Sequence, residues 1–215
     1  MDGTIIDSEI QYHRILRELC AKHGKKYSKE LQHKNYGCTD RQICTNVVEE
    51  LQLNMSVEKL ENEMAALTKT RLPKAPLKEG VERLLNHLVD SKVLFALATN
   101  ATRRDVRLQM ATKPHIFEMF HHMVCATDPD VDRGKPFPDV YLMAASRFPD
   151  NPLPVKCLVF EDSLTGLEAG LAAGMQVVMT PPRSLSHHLC SDATLVLKSL
   201  QDFKPELFGL PPFKE

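Results

Sequence analysis

Short apolar runs without polar alternation constrain this chain more than any other feature. Val93-Leu94-Phe95-Ala96-Leu97-Ala98, Met123-Val124-Cys125-Ala126, Cys157-Leu158-Val159-Phe160 and Gln176-Val177-Val178-Met179 each read as a strand, and Ala193–Leu197 reads as the last one. A strand with one wet face alternates apolar and polar side chains, whereas a strand that is apolar throughout is covered on both faces. Helical segments lie between the runs, at Gly80–Val89, Thr102–Met110, Pro138–Ser146 and Gly166–Ala173. Strands alternating with helices in this way specify an α/β fold with a parallel sheet covered on both sides.

The chain ahead of these runs has a different pattern. Ser8 is the expected N-cap of a helix with Ile10, Ile15, Leu16, Leu19 and Cys20 on one stripe and Gly24 as its stop. A second helix is expected over Asp40–Leu51, and a third from Val57 to about Arg71 with Ser56 as its N-cap. Pro73 and Pro76 then break the pattern. The expected organisation is an α/β core from 1–7 and 79–215, with a helical insert at 8–78.

Charge and composition exclude several functions. Net charge is −1, so no bulk positive field exists to bind nucleic acid or an anionic membrane. No apolar run approaches the ~20 residues that span a bilayer. Asp2 and Asp7 stand where a secretory signal would carry basic residues. The six cysteines form no Cys-x-x-Cys pair, so buried free thiols in a reducing compartment, the cytoplasm, are expected. A monomer is the expected state. The pairs His121-His122 and His187-His188 are expected in surface or loop positions.

Polar residues close the apolar runs. Thr99-Asn100 follows Ala98, Glu161-Asp162 follows Phe160, and Lys135 lies in Gly-Lys-Pro ahead of a helix. In open α/β sheets, ligands bind beyond the carboxyl ends of the strands, so these groups converge at one rim, where Asp2 would also stand. Their chemistry suits phosphoryl transfer, which needs positioned cations and hydrogen-bond donors around the oxygens of the moving group. Lys135 supplies positive charge, Thr99 supplies a hydroxyl, and the backbone amide of Asn100 supplies another donor. Asp162, with Asp2, would hold Mg²⁺, a hard cation that prefers oxygen, and Glu161 would support it directly or through water. Taken singly, each signal has a plainer reading. Asp-Gly is a common turn, a loop lysine is usually solvated, and Glu-Asp after a strand is often an N-cap.

Met1-Asp2-Gly3-Thr4, Ala98-Thr99-Asn100, Gly134-Lys135-Pro136 and Phe160-Glu161-Asp162-Ser163 resemble the signature motifs of the haloacid dehalogenase superfamily. The helical segment between the first two resembles its alpha-helical cap. The resemblance implies a Rossmann-like core and an aspartate nucleophile that attacks phosphorus to give an aspartyl-phosphate. That nucleophile matches the position directly ahead of Met1, and the residues before it match the family's first core strand. The expectation is therefore that the chain as written lacks both and is without turnover. By the same resemblance Asp2 acts as general acid and then base, with its carbonyl on Mg²⁺. Thr99 and Lys135 bind phosphate, and Asp162 with Glu161 forms the acidic metal motif. Tyr36-Gly37-Cys38-Thr39-Asp40 falls where related caps carry a specificity loop, which makes Gly37, Cys38 and Thr39 candidate substrate contacts. The implied function is Mg²⁺-dependent hydrolysis of a small phosphorylated metabolite, with pseudouridine 5′-phosphate first, under a cap that closes over it. The alternatives are a sugar phosphomutase and a non-catalytic phosphate- or partner-binding remnant.

Overall fold

The computed structural model describes residues 1–35, 38, 40–182 and 185–214. The chain divides into two compact units, Asp7–Pro76 and Met1–Ile6 with Leu77–Glu215.

The first of these is helical, with α1 at Ser8–Lys22, α2 at Lys29–Lys34, α3 at Asp40–Leu51 and α4 at Val57–Arg71. The stripe Ile15, Leu16, Leu19 and Cys20 on α1 is buried against Val47 of α3 and Leu60 and Met64 of α4, forming one apolar core. Ser56 caps α4 as expected, its hydroxyl accepting the Lys59 N–H at 3.2 Å. Ser8 does not cap α1. The N-cap is Asp7, which makes no side-chain cap hydrogen bond, and Ser8 is the buried first residue of the helix. Helix α2 leaves no apolar pattern in the sequence, since Leu31 is its only buried residue and a cap at Ser28 defines its start.

The other unit carries the sheets. In chain order come α5 (Val81–Asp90), β1 (Leu97–Thr99), α6 (Arg103–Met110), α7 (Pro114–Phe117), β2 (Met123–Cys125), α8 (Asp139–Ser146), β3 (Leu158–Glu161), α9 (Leu164–Ala172), β4 (Gln176–Met179) and β5 (Leu195–Val196). All pairings between these strands are parallel. Leu97 faces Met123 in the β1–β2 pair, Leu158 faces Gln176 in β3–β4, and Val178 faces Leu195 in β4–β5. The α/β class and the parallel sheet follow the apolar runs as expected.

The run Val93–Ala98 is a strand only at its end. Val93 N–H bonds back to Leu88 O at 2.9 Å and so completes the exit from α5. Regular pairing with β2 then begins at Leu97. Helix α5 starts at Gly80 with φ +86°, where a Cβ would lie 2.4 Å from the Gln201 backbone nitrogen, so only glycine fits that junction.

The strands form a two-stranded and a three-stranded sheet rather than one continuous ladder. An apolar cavity of about 570 Å³ is walled by Leu97 and Ala98 of β1, Leu158 and Phe160 of β3, and Leu84 and Leu88 of α5. Residues 1–6 form a turn in which Ile5 and Ile6 N–H both donate to Met1 O. Isolated bridges join Asp2 to Ile6 and Ile6 to Leu77. Among the described residues no helix is long and apolar enough to cross a membrane.

Candidate active site

The site is built where β1 and β3 end. Thr99, the last residue of β1, is buried, and its hydroxyl accepts the Ala101 N–H at 3.1 Å, turning the chain toward α6. Asn100 reaches across to the loop before α8. Its Oδ1 accepts the Lys135 N–H at 2.8 Å and its Nδ2 donates to Lys135 O at 3.1 Å, so one side chain holds both backbone groups of that residue. Gly134 permits this approach, because a Cβ there would lie 2.9 Å from Asn100 Oδ1. The Lys135–Pro136 peptide is cis.

Held in this way, Lys135 turns its side chain inward. Nζ donates to Ala98 O at 3.1 Å and to Glu161 Oε1 at 2.5 Å. Both side chains of this ion pair are buried, at 7% and 5% exposure, so the pair is screened little by solvent. Glu161 is the last residue of β3, and protein donors surround it. Tyr141 OH donates to Oε1 at 2.7 Å, while Asp162 N–H, Ser163 N–H and Ser163 Oγ–H reach Oε2 at 3.1, 3.2 and 3.0 Å. Burial alone would raise this carboxyl. The Lys135 ammonium, with further positive charge and the hydrogen bonds, outweighs burial and holds it at about 2. Ser163 also caps α9 by accepting the Gly166 N–H. Gly166 is bare because a Cβ there would lie 2.0 Å from the Glu161 carboxyl carbon.

Asp162 faces the first loop. Thr4 Oγ1 donates to its Oδ1 at 2.8 Å. Gly3, with φ +72°, passes so close that a Cβ would lie 1.9 Å from Asp162 Oδ2. Burial, followed by repulsion from Glu161, pushes the Asp162 carboxyl up to about 6. Burial likewise raises the Asp2 carboxyl, and Asp2 Oδ1 is a buried atom without a hydrogen-bond partner among the described residues.

The structure therefore links Asn100, Lys135, Glu161, Asp162 and Thr4 in one continuous set of contacts. The Asp2 side chain and the Thr99 hydroxyl are joined to it by no side-chain hydrogen bond among those described. In the helical unit, Cys38 N–H donates to Asn35 O at 3.2 Å and its thiol to Lys34 O at 3.6 Å, whereas Gly37 and Thr39 lie outside the described residues. Sequence reasoning assigns no role to Thr4, Tyr141, Ser163 or Gly166. Thr4 and Ser163 stand inside the quoted motifs, and Ser163 three residues ahead of Gly166 is a cap signal. Tyr141 carries no signal, since it sits in an apolar helix.

The donors present bear on whether a cation fits here. No three His, Cys, Asp or Glu side chains converge in metal-holding geometry among the described residues. A cage built wholly from protein ligands is not what Mg²⁺ requires. Mg²⁺ instead uses one or two carboxylates and keeps water or substrate phosphate for the rest. The raised Asp162 carboxyl and the orphaned Asp2 oxygen are hard donors of that kind, and they fit it.

Residues 1–180 match the family "Haloacid dehalogenase-like hydrolase". The chain belongs to that family. Among its relatives, a probable pseudouridine-5′-phosphatase of Drosophila melanogaster is 43% identical over 216 aligned residues, covering 100% of this chain and 94% of that one. The (DL)-glycerol-3-phosphatase 1, mitochondrial, of Arabidopsis thaliana is 35% identical, covering 100% of this chain and 73% of its own. Among solved structures, a putative beta-phosphoglucomutase from Thermotoga maritima superposes with a TM-score of 0.74 at 26% identity, covering 92% of this chain and 91% of that one. The family that the motif resemblance led one to expect is thus the one to which the chain belongs.

Proposed function

We propose that this chain carries the site of a Mg²⁺-dependent phosphomonoester hydrolase acting through an aspartyl-phosphate, with pseudouridine 5′-phosphate as the first substrate to test. The observation that carries the reading is the buried Lys135–Glu161 pair placed beside Asp162 and Thr4 at the strand ends. An ammonium that gives two of its three hydrogens to Ala98 O and Glu161 Oε1 keeps one to present to a ligand, and a phosphoryl group in transfer needs fixed positive charge.

Each residue then has a role. Lys135 faces the phosphate and the attacking carboxylate, and Asn100 sets its backbone. The Thr99 hydroxyl accepts from Ala101, which directs its own proton toward a phosphate oxygen. Asp2, raised by burial, is suited to give a proton to the leaving group and then to take one from water. Asp162 and Asp2 would hold Mg²⁺, which when bound neutralises phosphate charge. Glu161 serves Lys135 in this reading rather than the metal, because protein donors already occupy both of its oxygens. The family resemblance assigns the nucleophile to an aspartate two positions ahead of Asp2, a residue that the extended chain below supplies. The six free cysteines agree with a reducing compartment such as the cytoplasm.

The structural likeness to a protein named as a phosphoglucomutase favours one second reading, transfer of the phosphoryl group between sugar hydroxyls. A paired assay decides. Phosphate release from pseudouridine 5′-phosphate, glycerol 3-phosphate and an aryl phosphate is measured with Mg²⁺ and with EDTA. The two samples are the 215-residue chain and the same chain extended by a strand that ends in Asp before Met1. Metal-dependent release by the extended chain, lost on Lys135→Ala, is the expected result. Release only when a sugar bisphosphate primes the enzyme supports the mutase. Silence from a folded extended chain overturns both.

A further inference from the structure

Tyr141 is a buried phenol on α8 that takes no part in the chemistry above. Its hydroxyl and the Lys135 ammonium both donate to the same oxygen, Glu161 Oε1, at 2.7 and 2.5 Å. Its ring also lies under the ammonium, with Nζ 4.6 Å from the ring centroid. We infer that Tyr141 is a positioning residue for Lys135, whose hydroxyl divides the pull of Glu161 and whose ring fixes the height of the ammonium. The inference rests on the reading that Lys135 meets phosphate.

The two donors compete for one oxygen. A carboxylate in a dry site binds an ammonium tightly, and an ammonium wholly captured by Glu161 has less to offer a phosphate oxygen. A second donor on the same oxygen weakens that capture without adding charge. The phenol is suited to this task because its O–H is an uncharged donor held 2.7 Å from Glu161 Oε1. The ring adds a soft attraction from the other side, within the ~6 Å over which an aromatic face attracts a cation. Helix α8 cannot yield easily, since Val140 and Ala144 on it are packed in a core with Val124 and Val131. A phenylalanine would fill the same volume, so packing alone does not account for the hydroxyl.

The test is the affinity of the 215-residue chain for inorganic phosphate in Mg²⁺, by isothermal titration, for wild type, Tyr141→Phe, Tyr141→Leu, Glu161→Gln and the double variant Tyr141→Phe/Glu161→Gln, with Lys135→Met as reference. Tyr141→Phe is expected to weaken phosphate about fivefold with little change in thermal midpoint, and Tyr141→Leu to weaken it further. In the Glu161→Gln background the carboxylate's pull is gone, and adding Tyr141→Phe should change affinity by less than about twofold. A merely structural tyrosine would not show that coupling. Phosphate binding by Tyr141→Phe equal to wild type, or the same fivefold loss persisting in the Glu161→Gln background, overturns the inference. If Lys135→Met binds phosphate as wild type does, the reading of Lys135 itself has failed, and the role of Tyr141 falls with it.

Discussion

Thr4 and Asp162 are 158 positions apart in the chain, and their side chains meet in a hydrogen bond of 2.8 Å. The bond ties the loop of residues 1–6 to the end of β3 and holds a carboxyl that burial, and then Glu161, raise to about 6. Glu161 next to it is held at about 2 against the effect of burial, chiefly by Lys135. The two neighbours thus respond to pH in opposite senses. A carboxyl raised in the folded state binds its proton more tightly there, so it favours folding at low pH and costs stability as pH rises from about 4 to about 6. A carboxyl lowered in the folded state contributes stability that is lost as pH falls from about 4.5 toward 2. In EDTA, urea unfolding should therefore show stability declining between pH 4 and 6 by no more than roughly 3 kcal/mol, less to the extent that water reaches the partly exposed Asp162. Asp162→Asn should remove that decline. An unchanged slope in Asp162→Asn would show that other groups cause it. Mg²⁺ at ten times its dissociation constant should restore ~1.4 kcal/mol at pH 7 in wild type and not in Asp162→Asn.

Gly166→Ala isolates the crowding around Glu161. In a helix, alanine ordinarily gains about 1 kcal/mol over glycine. Here the new methyl would lie 2.0 Å from the Glu161 carboxyl carbon, and Lys135, Tyr141 and Ser163 pin that carboxylate. We expect a net loss of about 1–3 kcal/mol in urea unfolding. Gly170→Ala on the same helix meets the Val177 Cγ2 methyl at 2.6 Å, with Val159 at 3.8 Å, and no hydrogen bond pins either side chain. It should cost less. A stabilised Gly166→Ala would show that Glu161 moves freely.

Asn100 can be tested through its two bonds to Lys135. Asn100→Asp keeps the acceptor for Lys135 N–H and loses the donor to Lys135 O, whereas Asn100→Ala loses both. Phosphate affinity should fall about tenfold in Asn100→Ala, if each bond contributes about 0.5–1.5 kcal/mol to holding the loop, and at least as far in Asn100→Asp, whose carboxylate faces Lys135 O and adds negative charge beside the phosphate. Equal affinities for all would mean that Lys135 is placed by Glu161 alone.

The difference between Thr99 and Tyr141 shows what the chain reveals before it folds. The positions of Thr99, Glu161 and Asp162 are legible because they close apolar runs, and that of Lys135 because it lies in a loop ahead of a helix; the ends of parallel strands are where such sheets bind ligands. Local rules also place α3 and the Ser56 cap, since periodicity and capping act within a few residues. Tyr141 is illegible because Val140-Tyr141-Leu142 is what a core helix looks like, and its hydroxyl acquires meaning only when β3 brings Glu161 within 2.7 Å. The same limit applies to Val93–Phe95. Their apolar character suits a strand, but regular pairing along the backbone begins only at Leu97. Asn100 is expected from the sequence to offer its backbone amide to phosphate, but nothing local announces that its side chain holds the backbone of a residue 35 positions away.

Asp128 offers a test of the rim behind the site, independent of phosphate. It is 2% exposed and accepts from Arg103 at 2.5 and 2.7 Å, with Arg147 3.5 Å away and the Cys125 N–H at 3.3 Å. Burial by itself would raise its carboxyl, but Arg103, the Cys125 N–H and Arg147 together bring it below the usual carboxylate range. Its charge therefore stabilises the fold at neutral pH, and that contribution is lost as pH falls below the ordinary carboxylate value. The two partners are unequal, because the Arg103 side chain is 45% exposed and that of Asp128 not at all. Asp128→Ala should cost about 1–3 kcal/mol at pH 7, since it leaves the Cys125 N–H without its acceptor and removes the charge facing Arg103 and Arg147, although water reaches Arg103 and Arg147 keeps Met123 O and Asp130. Arg103→Ala should cost about half as much, because Arg147 still faces the carboxylate and water can reach the vacated side. Urea unfolding of the two variants checks the order. If removing Arg103 costs as much as removing Asp128, the carboxylate depends on that one partner, and Arg147 contributes nothing to holding the charge.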